Sequence, residues 1–205
     1  MQEETSAQDL KDRLTLIESM MAEGRRSTES WGWVFLLWGV AYYVAIAWSV
    51  WGNHSSLAWS ITMIVAMILT FGIIAWRIAR GTQRSQPATT VGRAIGAIWI
   101  AMGVSMFILL PSLGIGGRSS SNIVVAVVGT MLGTANAASS MILKWKLQFV
   151  CAVIWWALAV ISCLGTERDS FVALLVANFF CQIVFGIYAM ICESRRRRRR
   201  GVAHA

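Results

Sequence analysis

Ile61-Thr-Met-Ile-Val-Ala-Met-Ile-Leu69 is apolar at every position but Thr62 and does not alternate between apolar and polar residues. A strand of a membrane barrel would alternate over about ten residues, one face to lipid and one to the lumen. Lipid offers no water to bond the backbone, so an unalternating run must cross as a helix that satisfies its own N–H and C=O groups. Extended outward, the run covers residues 56–76 before Arg77 and meets the requirement of about 20 apolar residues for one crossing. Five further runs do the same, at about 31–51, 94–113, 122–143, 147–165 and 170–192. The expected fold is all-α: a polytopic membrane bundle of six transmembrane helices over 31–193, with a leader at 1–30 and a tail at 194–205.

Composition supports this. The 205 residues are 57% hydrophobic and only 14% charged, against about a quarter charged in soluble domains. Seven of the ten carboxylates precede Trp31, and the 137 residues between Glu29 and Glu167 contain none. The first apolar run is too long for the core of a signal peptide and is expected to remain as a signal anchor.

Basic residues set the expected orientation. Four lie in the leader, four between the second and third spans, two between the fourth and fifth, and six in the tail. That places 16 on one side and only 2, Arg118 and Arg168, on the other. The positive-inside rule then puts both termini in the cytoplasm. Short loops favour a bacterial inner membrane. Trp31, Trp33, Trp51, Trp59, Trp76 and Trp145 fall near the expected interfaces, where indole rings prefer to sit.

The leader reads as a separate amphipathic cytoplasmic helix. Ser6-Ala-Gln-Asp9 resembles a capping-box start, and Leu10, Leu14, Ile17 and Met21 form one apolar stripe on a helix ending near Gly24. Residues 1–30 hold four bases and seven acids, the wrong sign for docking on anionic headgroups. A protein surface is the better expectation: the chain's own cytoplasmic face, a second copy, or another protein. At the other terminus, Arg195, Arg196, Arg197, Arg198, Arg199 and Arg200 lock the tail inside and attract anionic lipid headgroups. Nucleic acid is a poorer match, because a bare arginine run reads no bases.

Within the bundle the fourth span is the most polar and the smallest in side-chain size. Gly129 and Gly133 form a GxxxG extended by Ala137, a ridge that lets helices approach closely. Gly92 and Gly96 form a second at the start of the third span, read as packing within the chain or as an oligomer interface. Asn136, Asn178 and Gln182 lie at mid-membrane. The expected use is hydrogen bonding of Asn136 to Asn178 or Gln182 between helices. The alternative is a small polar cavity lined by these amides with Thr130 and Thr134.

A faint repeat links Leu37-Trp38-Gly-Val-Ala41, Ile98-Trp99-Ile-Ala-Met102 and Ile154-Trp155-Trp-Ala-Leu158, and suggests three related hairpins. Cys151, Cys163, Cys181 and Cys192 form no CxxC pair and read as packing residues, and no metal or cofactor set is expected. No span centre carries Asp, Glu, Lys, Arg or His, which leaves proton relays and acid–base catalysis without residues to use. The expected function is a non-catalytic multi-pass membrane protein working through protein or lipid contacts. The alternative is a transporter, channel or receptor for a small neutral or lipidic molecule.

Overall fold

The computed structural model describes residues 2–51, 55–80, 90–116 and 120–202, and all regular structure among them is helical. The helices are α1 (Gln2–Ser30), α2 (Gly32–Trp51), α3 (Ser55–Ala79), α4 (Thr90–Ile115), α5 (Ser121–Leu143), α6 (Lys146–Leu164), α7 (Glu167–Asn178) and α8 (Phe185–Val202). A π-helical stretch, Phe179–Val184, joins α7 to α8 without a break in the rod. Six of these segments are long and apolar enough to cross a membrane, the last comprising α7, the π stretch and the start of α8. The architecture is that of a multi-pass membrane protein.

The packing is uneven. The pair α5 and α6 makes the most extensive contact, and α6 continues onto α7. Helix α2 packs on α8, the π stretch and α3. Helices α3 and α4 lie at the periphery: α3 packs on α2, α4 packs on α5, and they do not approach each other. In α3 the buried residues Thr62, Ala66 and Thr70 recur every four positions, while Ile61, Ile64, Val65, Ile68 and Leu69 are exposed. That single buried stripe is the helical period expected of the deciding run, with the remaining face left for lipid. Trp33 beneath the Arg77 guanidinium at 4.9 Å, and Trp76 beneath Arg80 at 4.0 Å, lie at the start of α2 and the end of α3.

Close helix contacts follow glycines. A Cβ on Gly32 would stand 2.9 Å from the Gly186 carbonyl oxygen, and one on Gly186 would stand 2.9 Å from the Gly32 carbonyl oxygen. Gly39, two turns deeper, faces Gln182 in the same way. Across the α5–α6 seam, Gly129 faces the Trp155 carbonyl at 2.9 Å, and a side chain at Gly133 would run into the Trp156 indole. Without a hydrophobic drive between helices in lipid, such approaches supply dispersion contacts that larger residues would prevent.

Two sharp features end helices. Between α5 and α6, Lys144 adopts the left-handed conformation (φ 48°, ψ 44°), and the Lys144 and Trp145 N–H groups bond the carbonyls of Met141 and Ser140. At the other end of α6, Thr166 and Asp169 form a reciprocal capping box at the start of α7. The Thr166 N–H donates to Asp169 Oδ2 at 2.9 Å, and the Asp169 N–H donates to Thr166 Oγ1 at 3.3 Å. Asp169→Ala is expected to lower stability by about 1 kcal/mol, as for other N-cap losses. Thermal unfolding in detergent, followed by circular dichroism, measures it.

One expectation is revised. Helix α1 does not end near Gly24 but runs to Ser30. Gly24 is a packing site, since a Cβ there would stand 2.7 Å from both Leu143 and Val91 side chains. Helix α4 continues through Pro111 to Ile115. In the three repeat motifs Trp155 is fully buried, whereas its counterparts Trp38 and Trp99 are half-buried. The connection at 117–119, with Arg118, and the loop at 81–89 lie outside the described residues.

Candidate functional site

Polar side chains gather in two places, the middle of the bundle and the end where α1 meets α8. The middle cluster surrounds the π stretch. There the Phe185 N–H reaches back to the Phe180 carbonyl, five residues earlier, as well as to that of Gln182. Such a stretch shifts the faces presented on either side of it, and this geometry recurs at functional sites. Here it delivers Asn178, Cys181 and Gln182 inward, all buried. Asn178 Nδ2 donates to the Gly39 carbonyl at 3.0 Å, and the Tyr43 hydroxyl donates to the Leu175 carbonyl at 2.8 Å. These two bonds tie the last span to α2. The Cys181 thiol points at the Cys151 carbonyl of α6 at 3.5 Å. All four cysteines are free.

Asn136 does not join this cluster. Its Nδ2 donates to the Leu132 carbonyl of its own helix at 2.8 Å, and the bond to Asn178 or Gln182 expected from sequence is not made. The reason is positional: among the described residues α5 does not touch the π stretch, which packs on α2 and α6. Thr130 and Thr134 are exposed and bond the carbonyls one turn back, Ala126 at 2.8 Å and Thr130 at 2.9 Å. They therefore do not line a shared cavity with the amides. Ser139, one turn from Asn136, accepts from Trp99 Nε1 at 3.1 Å and helps hold the peripheral α4. Ala137 is buried along the glycine ridge. Gly96 has no atom within 4 Å of a would-be Cβ, so it supports no close packing within the chain.

Several buried polar atoms have no hydrogen-bond partner: Gln148 Nε2 and Oε1, Asn178 Oδ1, Gln182 Oε1, Trp155 Nε1, Ser162 Oγ and Thr62 Oγ1. Gln148 is the extreme case, fully buried with both ends of its amide unpaired. Sequence reasoning passed over it because Lys144 and Lys146 beside it mark a rim, where a glutamine is ordinarily wet. Its place on the α6 face with Cys151, Ala152 and Trp155 could have been read from the helical period.

The second cluster clasps the leader to the bundle. Arg25 Nε donates to the Leu143 carbonyl at 2.8 Å, at the end of α5. Glu29 is buried, and its Oε2 pairs with Arg196 Nη1 at 2.7 Å. A carboxylate out of water needs such a partner. Arg196 thus reaches back from the arginine run to the leader. Further out, the leader leaves the bundle: Leu10, Leu14 and Ile17 are 60%, 53% and 52% exposed. Met21, nearer the clasp, is half-buried. Of the three surfaces expected to receive the stripe, the chain's own face takes only this inner end.

Among the described residues no three His, Cys, Asp or Glu side chains stand together as a metal site. Compared with known proteins, the chain matches no family model, no curated protein and no solved structure.

Proposed function

We propose that the protein is a non-catalytic multi-pass component of a cell membrane, in bacteria the inner membrane, that works through contacts made at its cytoplasmic face. The observation that carries the reading is the leader: clasped to the bundle at Gly24, Arg25 and Glu29, yet with its apolar stripe left uncovered. A helix held at its root and bare beyond it suits capture of another protein surface. The 16-to-2 division of Lys and Arg supports placing that face, with both termini, in the cytoplasm. The arginine tail supplies a second contact, with anionic lipid headgroups. Within the bundle, Asn178 and Tyr43 bond backbone carbonyls of neighbouring helices and Asn136 one of its own, an arrangement that favours helix tethering over a substrate path.

The triple variant Leu10→Glu, Leu14→Glu, Ile17→Glu tests the reading. Because the stripe is exposed, the variant should fold and insert normally but lose the proteins, or the second copy, that purify with the native chain. Unchanged composition and unchanged mass on gentle solubilisation would overturn it.

A further inference from the structure

Resting on the leader as the contact element, we propose that the stripe is covered by the same stripe of a second copy. Leu10, Leu14, Ile17 and Met21 follow spacings of 4, 3 and 4, the d and a positions of a two-stranded coiled coil. In that register Lys11 and Glu18 fall at e and Arg13 falls at g. Positions e and g flank the seam and meet their counterparts on the partner helix. In a parallel pair, Arg13 at g faces Glu18 at e of the second copy. In an antiparallel pair, Glu18 faces Lys11 through the e-to-e contact. Glu18 therefore finds a cation in either direction, and symmetry makes the contact twice. Glu18 and Lys11 are exposed and form no ion pair among the described residues, while Arg13 holds an exposed pair with Asp9 at 3.0 Å. That exposed pair is weak enough to be exchanged.

A lipid surface is the poorer occupant, because the net negative leader is repelled by the anionic headgroups that the tail attracts. Two heptads form a marginal coiled coil in free peptides. Here each helix is already formed and held at its root, and the membrane confines both copies to one plane. Pre-organisation and a raised effective concentration lower the cost of pairing.

The test uses the full-length protein in mild detergent and in nanodiscs, with oligomeric mass measured over a concentration series. The native chain is expected to dimerise. Leu14→Glu should raise the dissociation constant by roughly a hundredfold, as expected for a buried leucine replaced by a charge. Glu18→Lys should raise it about two- to fivefold. Combining Glu18→Lys with Arg13→Glu should restore pairing if the helices are parallel, and with Lys11→Glu if they are antiparallel. Restoration by neither swap overturns the proposal, as does a dimer indifferent to Leu14→Glu. A native chain that stays monomeric, but loses a different co-purifying protein in the stripe variant, overturns the self-pairing while leaving the contact function intact.

Discussion

Gly186→Ala is expected to lower the unfolding temperature sharply, and Gly186→Leu to leave little monodisperse protein after extraction. The added Cβ would stand 2.9 Å from both the Gly32 carbonyl oxygen and the Leu36 nitrogen. Both obstacles are backbone atoms of α2, so no side-chain rotation relieves the clash and the helices must separate. Overpacking of this kind costs about 1–3 kcal/mol, and more when the obstacle is rigid. Separation would also disturb the neighbouring Asn178–Gly39 bond, which joins the same two spans. Gly72 provides the control, since nothing lies within 4 Å of a Cβ placed there. Gly72→Ala should be neutral or stabilising by up to about 1 kcal/mol, the helix-propensity gain. Equal losses at the two glycines would refute the α2–α8 seam. Thermal unfolding and size-exclusion profiles in one detergent make the comparison.

Gln148→Met should instead stabilise the protein, by about 1–3 kcal/mol, the cost usually attached to a buried polar group left unpaired. The side chain is fully buried, and neither amide atom has a partner. Methionine keeps the length and flexibility of glutamine and removes the polar atoms. Asn178→Leu, one helix away, should move stability in the opposite direction, because Asn178 makes a real bond to α2. Chemical or thermal unfolding of the two variants side by side checks the signs. A destabilised Gln148→Met would show that the amide is satisfied in the membrane by a bound water or lipid atom.

Much of this architecture could be read without coordinates. The six spans agree with the helices to within a few residues at most ends, since hydrocarbon thickness dictates length and charge marks the ends. Gly129 and Gly133 were also legible, because two small residues one turn apart on a polar-flanked span signal close approach. The α2–α8 seam was not. Gly32, Gly39 and Gly186 lie on distant parts of the chain, and only tertiary packing brings them together. Gly96 shows the reverse, a GxxxG member with open space beside it. Gly24 looked like a stop signal because glycine serves both roles, and local sequence cannot separate them. The amide partners failed for a related reason: depth follows from counting residues along a span, but the neighbour at that depth follows from how the helices are arranged. The π stretch at Phe179–Val184 left no mark in an apolar run that reads as unbroken helix.

The Glu29–Arg196 pair joins a residue that precedes the first span to one that follows the bulk of the last. During synthesis Glu29 leaves the ribosome long before its arginine exists, so the leader cannot be fully fastened until all six spans have been translated. Fastening then waits on the last span. A nascent chain cut short before Arg196 would carry an unfastened leader open to proteolysis. The clasp thereby doubles as a record that the last span was made.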